Sequence, residues 1–150
     1  MVDARNIPSD ALINGLSAKF KEDSRIVPPP WVNYLKAGIH REKPWTQDDW
    51  YQVRLASTLR KISIYGPVGI SKLSSDYGGK VDKGSAGYHP GKGSRFLVRH
   101  MFQVLESLGY VKKDKSGRTI SPEGRSLLDK TAKEVLEKMS KEDSSLKKLL

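Results

Sequence analysis

The sequence predicts a mainly α fold: a helical bundle packed around a central helix, with one small β-hairpin. Three observations carry this. Apolar residues recur at helical spacing in several stretches separated by proline and glycine. One of those stretches, residues 47–64, is apolar nearly all round, which is the mark of a helix with neighbours on several faces. A single glycine turn near the C-terminal third is flanked by short strand-like segments. The 150 residues suit one domain spanning 1–150, and a chain of this size buries roughly 68–70% of its unfolded surface.

Taken in order, Pro8-Ser9-Asp10 opens a first helix with Ser9 as its cap. Leu12, Leu16 and Phe20 then line one face, and the helix stops near Asp23. Pro28-Pro29-Pro30 stiffens the approach to a short helix at Trp31, since proline suits a helix's first turn. Thr46 reads as the next cap, with Asp48 and Asp49 in the first turn where the helix dipole favours acids. In the central helix from Gln47 to Ile64, Tyr51, Leu55, Leu59 and Ile62 share one arc. Trp50, Val53, Ala56 and Ile64 cover the other side. Trp31, Trp50, Leu55 and Leu59 are therefore expected in the core. Arg54 and Lys61 share a narrow strip beside Trp50, while Arg60 projects near Val53.

Gly66-Pro67-Val68-Gly69 breaks the chain, and a short helix from Ile70 to Tyr77 follows. Residues 78–93 hold six glycines and read as a flexible loop. Ser94 caps a helix to Leu108 whose apolar arc is Leu97, Val98, Met101, Phe102, Val104, Leu105 and Leu108. Its polar face carries Arg95, Arg99, Gln103 and Glu106, and Gly109 ends it. Residues 110–114 and 118–120, about the turn Lys115-Ser116-Gly117, form the β-hairpin. Ser121-Pro122-Glu123 starts a last helix that buries Leu128, Ala132, Val135 and Met139. On its other face Glu134 with Lys138, and Glu137 with Lys141, stand at i,i+4 spacing. The tail from about residue 141 is expected to fray.

Composition narrows the function. Without cysteine there is no disulfide framework, thiolate metal site or cysteine nucleophile. The longest apolar run is three residues, as in Phe96-Leu97-Val98, so neither a membrane span nor a signal-peptide core is expected. A soluble, intracellular protein follows as the expectation. Gly91-Lys92-Gly93 resembles a phosphate loop, but Ala86 stands where its earlier glycine belongs and Gly93 where Ser or Thr would bind magnesium. His40, His89 and His100 are scattered, and none has a partner at zinc spacing. His100 reads as a surface or phosphate-facing residue. No catalytic residues, metal or cofactor are expected, and an enzyme is not.

The formal net charge is +10, and its distribution is more telling than its size. Residues 1–49 balance seven basic side chains against seven acidic. Residues 50–118 hold thirteen basic against Asp76, Asp82, Glu106 and Asp114. So focused a field attracts a polyanion, of which nucleic acid is the commonest. The candidate contacts are Arg54, Arg60, Lys61, Lys72, Lys80, Lys83, Lys92, Arg95, Arg99, Lys112, Lys113 and Arg118. From Gly66 to Leu128 the order helix, loop, helix, hairpin, helix is winged-helix-like. One reading is therefore a DNA-binding transcription regulator with residues 94–108 as recognition helix. A helix-turn-helix turn takes three or four residues, whereas residues 78–93 separate these helices. A glycine-rich basic loop suits the irregular phosphate surface of folded RNA better.

Particular motifs sharpen this. Pro30-Trp31-Val32, Asp49-Trp50-Tyr51 and Arg54-Leu55-Ala56-Ser57-Thr58-Leu59-Arg60 resemble the S-nineteen-e family of small-subunit ribosomal proteins. So do Gly66-Pro67-Val68-Gly69, Tyr77-Gly78-Gly79, Gly93-Ser94, Arg99, Leu105-Glu106, Gly117-Arg118 and Ser121-Pro122-Glu123-Gly124. The match runs over roughly residues 8–135. This resemblance implies a helical bundle with a winged-helix-like portion, binding to ribosomal RNA in the small-subunit head, and a part in subunit maturation and translation. Neighbouring ribosomal proteins would be partners on the cytoplasmic ribosome, with a monomer off it. It places the family's basic positions at Arg54, Arg60 and Arg99 and its basic loop at Lys80 to Lys92. The chain departs from the family at Pro29 and Pro30, where proline then an acid is more usual, and at His100, where a permanent charge is.

Overall fold

The computed structural model describes residues 2–143, 145 and 146. Its helices are α1 (Ser9–Glu22), α2 (Trp50–Tyr65), α3 (Ile70–Asp76), α4 (Arg95–Ser107) and α5 (Pro122–Glu142). Short 3-10 turns at Ala4–Asn6 and Pro30–Asn33 precede α1 and α2. Two antiparallel two-stranded sheets complete the fold, β1 (Gly79–Val81) with β2 (His89–Gly91) and β3 (Val111–Asp114) with β4 (Gly117–Ile120).

Helix α2 is the axis of the bundle: α1, α4, α5 and β4 all pack on it. Tyr51, Leu55, Ala56, Leu59 and Ile62 are sealed from solvent, and Trp50 nearly so. Only Tyr65 of α2 is exposed. Leu12, Leu16 and Phe20 of α1 meet it from one side, and Leu97, Val98, Met101, Phe102 and Leu105 of α4 from another, in one continuous core. Leu128, Ala132 and Val135 of α5 are buried as their spacing predicts, with Met139 packed at the margin. Trp31 is likewise half-buried, its ring edge-on to Phe96 and His100 at 5.3 and 4.9 Å.

Four local expectations are corrected. Ser9 is the first residue of α1 rather than its cap; Pro8 holds the cap position, and its carbonyl accepts from the Leu12 amide at 3.1 Å. Helix α2 starts at Trp50, later than Thr46 suggests. Trp45 stacks on Trp50 with ring centroids 3.8 Å apart, and residues 46–49 turn to allow it. Asp49 receives Lys21 and Gln47, each at 2.6 Å. On α5, Glu134 joins Lys19 of α1 at 2.9 Å instead of Lys138, because Gly15 lets α1 approach Thr131 and Val135 closely. Residues 78–93 are more than a loop: β1 and β2 pair Gly79 with Gly91 and Val81 with His89. The sheets therefore number two where the sequence suggests one hairpin. The tail expectation is answered only in part, since α5 runs through Lys141 to Glu142 and residues 144 and 147–150 lie outside the described residues.

The hairpin β3–β4 is fixed at both ends. Val68 and Arg118 exchange backbone hydrogen bonds of 3.1 and 2.9 Å, joining β4 to the chain leaving α2. Ser121 caps α5 by accepting from the Gly124 amide and donates its own hydroxyl to the Gly109 carbonyl at 2.6 Å.

Candidate nucleic-acid interface

The basic residues of positions 50–118 divide by their surroundings. Lys72, Lys80, Lys83, Lys92, Arg95, Arg99, Lys112, Lys113 and Lys115 are exposed, and no ion pair holds any of them among the described residues. Lys92 donates to Ser71 at 2.9 Å, and Lys72 stands 5.2 Å over the Tyr65 ring. These contacts orient the ammonium groups and leave their charge unspent.

Lys61 and Arg118 are different. Lys61 lies 3.7 Å from Asp76 and 4.6 Å over Tyr77. Arg118 binds Glu106 at 2.9 Å with its guanidinium over Phe102 at 5.2 Å. Both hold elements together. Arg60 is half-buried, its Nε enclosed without a hydrogen-bond partner.

A guanidinium on a buried helix needs a partner, and for Arg54 the sequence leaves open RNA phosphate or an internal acid such as Asp48 or Asp49. Neither acid pairs with it among the described residues. The guanidinium instead lies 3.9 Å over Tyr77 and 5.6 Å over Trp45. Burial lowers its pKa, with Tyr77 acting the other way. Tyr77 is itself fixed by a 2.8 Å hydrogen bond with Ser57. The side chain thus lies against two aromatic rings, and no carboxylate pairs with it among the described residues.

An open cleft of about 990 Å³ adjoins it, between residues 37–46 and the end of α3 with β1. The walls are tied together by backbone: the Ser94 amide donates to Ala37 at 2.9 Å, and the Gly93 amide to Ser74 at 2.8 Å. His40 fits beneath because Gly38 and Gly79 lack Cβ atoms, which would come within 2.9 to 3.0 Å of other atoms here, the imidazole among them. Its Nδ1 is buried without a partner, and desolvation, with Arg41 and Arg54 nearby, holds its pKa below the usual histidine range. Arg41, Lys43 and Trp45 belong to this site, yet sequence reasoning passed over them. They lie in an aperiodic segment of balanced charge; basic residues beside a tryptophan were the available signal.

His100 is a correction. It is half-buried rather than phosphate-facing, sharing a 2.8 Å hydrogen bond with Tyr51. Burial lowers its pKa and pushes the Tyr51 hydroxyl up to about 12.

No helix among the described residues is long and apolar enough to cross a membrane, and no three His, Cys, Asp or Glu residues gather as a metal site there. A helical frame with exposed cations that no ion pair holds among the described residues suits one class of protein, the basic structural components of ribonucleoproteins. Comparison with known proteins agrees. The family profile described as Ribosomal protein S19e matches residues 3–138. The chain is 49% identical over 150 residues to the small ribosomal subunit protein eS19 of Thermoplasma volcanium, with 100% of both covered. Identity to the protein of that name from Aeropyrum pernix is 42% over 153 residues, again with 100% of both covered. With small ribosomal subunit protein eS19B of Schizosaccharomyces pombe it is 34%, over 91% of this chain and 96% of that one. The chain belongs to the Ribosomal protein S19e family, whose members are structural, non-enzymatic proteins of the ribosome.

Proposed function

We propose that this chain is a constituent of the small ribosomal subunit, a single domain that binds ribosomal RNA in the subunit head and is needed for subunit maturation and translation. The observation that carries the RNA reading is the set of exposed, unpaired cations on α3, the β1–β2 hairpin, the start of α4 and β3. Each neutralises a phosphate and releases a counterion. Contact runs through Arg54, Arg60, Lys72, Lys80, Lys83, Lys92, Arg95, Arg99, Lys112 and Lys113. Lys61 and Arg118 act by holding the frame. The names of its relatives support the small subunit as the place of action; other ribosomal proteins as neighbours, the cytoplasmic ribosome as location and a monomer off it complete the reading.

The DNA-regulator reading loses ground because a complete hairpin separates α3 from α4, which a helix-turn-helix does not accommodate. A tagged chain sedimented through a density gradient separates the two. It is expected with the small subunit at low salt and at the top at high salt. Changing Lys80, Lys83 and Lys92 together to Ala should reduce incorporation and leave the melting temperature nearly unchanged. A chain that stays at the top under all conditions and binds a specific DNA duplex tightly overturns the proposal.

A further inference from the structure

We propose that the cleft beside Arg54 receives one unpaired nucleotide of the RNA, its base against Trp45 and its phosphate on Arg54. The inference rests on the RNA-binding reading above and names the form of RNA that this cleft takes. Trp45 is half-buried, covers Trp50 with one face and lines the cleft. Base-on-aromatic stacking needs such a fixed ring, and it tolerates any base. Arg54 supplies the second element, a guanidinium 3.9 Å over Tyr77 and 5.6 Å over Trp45 that no carboxylate pairs among the described residues. Lys43, Arg41 and Lys80 stand around the cleft against Glu42 and Asp76, and Asp76 is already occupied by Lys61. An anion is therefore the complementary occupant.

Shape selects the kind of anion. A volume of about 990 Å³ is that of a small-molecule site, for which roughly 300–1,000 Å³ is usual. A stacked duplex presents phosphates to such an opening but cannot put a base into it. An unpaired nucleotide can, since unstacked bases are what proteins read in folded RNA. An acidic protein segment would satisfy the cations but make no use of the indole that lines the cleft.

The full-length chain is titrated into a labelled single-stranded RNA hexamer and into a duplex of the same composition, with fluorescence anisotropy as readout. The single strand is expected to bind more tightly by about ten-fold. Trp45→Leu should remove that preference, a loss of about ten-fold in keeping with one stacked base. Arg54→Lys keeps the charge, loses the flat guanidinium and should also weaken single-strand binding. Melting curves accompany both variants; if Trp45→Leu does not fold, the unmutated chain's preference and Arg54→Lys decide. Equal binding of strand and duplex overturns the inference, as does displacement of the hexamer by hexaglutamate at equal concentration. If the chain enters small subunits yet shows no single-strand preference, this inference alone falls. If it stays out of subunits and binds a specific DNA duplex tightly, the RNA-binding reading falls and this inference falls with it.

Discussion

At the scale of single residues, two buried aromatic systems separate fold from function. Trp50 is nearly sealed, stacked on Trp45 and set edge-on to Tyr51 at 6.0 Å. Trp50→Ala should cost about 3–5 kcal/mol, as large core truncations do, which is a large share of a domain's stability; chemical denaturation measures it. Tyr51, His100 and Trp31 form the second system. Burial depresses the His100 pKa from its ordinary 6.5, so the folded chain favours the neutral ring. That contribution is complete above the unfolded pKa. As pH falls through and below it, the unfolded chain takes up a proton that the folded chain resists, and stability declines. His40 shifts in the same direction. The melting temperature should therefore drop between about pH 7 and 5, a window set by histidine, and His100→Gln should lose less over that interval. Asp23, Asp49 and Asp143 are shifted below 3.8, so their losses fall at lower pH. Equal slopes for His100→Gln and the unmutated chain would refute the assignment.

At the scale of elements, the junction of α2, β4 and α5 depends on glycines at close approaches. Gly117 has φ +138°, and a Cβ there would stand 2.8 Å from the Val68 backbone. Gly117→Ala should break the Val68–Arg118 pairing and detach the hairpin from the chain leaving α2. Loss of amide exchange protection at Val68 and Arg118, with a lowered melting temperature, is the expected result; unchanged protection contradicts it. The same elements show what was legible in the sequence. Helix spacing exposed α1, α2, α4 and α5 because their buried residues repeat every three or four positions. The strands β1 and β2 escaped because each is three residues long, rich in glycine and without alternating apolar residues. The cleft escaped for a related reason. Trp45, Arg54 and Tyr77 meet through tertiary packing, and no local pattern joins them. Cap motifs misled at Thr46, since a stack between Trp45 and Trp50 outweighed a cap, which contributes about 1 kcal/mol.

For the whole molecule, charge is the property that most directly joins fold to function, and it divides into spent and unspent parts. A cation already paired inside the protein releases no RNA counterion, so the salt dependence of RNA association counts only the unspent ones. Lys113 and Arg118, opposite each other in the β3–β4 register, make the contrast within one hairpin. Lys113 is exposed and unpaired. Lys113→Ala should leave the melting temperature nearly unchanged and reduce the slope of log K against log salt by about one. Arg118 is spent on Glu106 and covers Phe102. Arg118→Ala leaves the Glu106 carboxylate without its partner and should lower stability by about 1–3 kcal/mol, with the salt slope unchanged wherever the variant stays folded. Binding to small-subunit ribosomal RNA over a series of salt concentrations, alongside denaturation of each variant, measures both quantities. Should Arg118→Ala lower the slope as much as Lys113→Ala, its guanidinium leaves Glu106 to meet phosphate, and the division fails at that position.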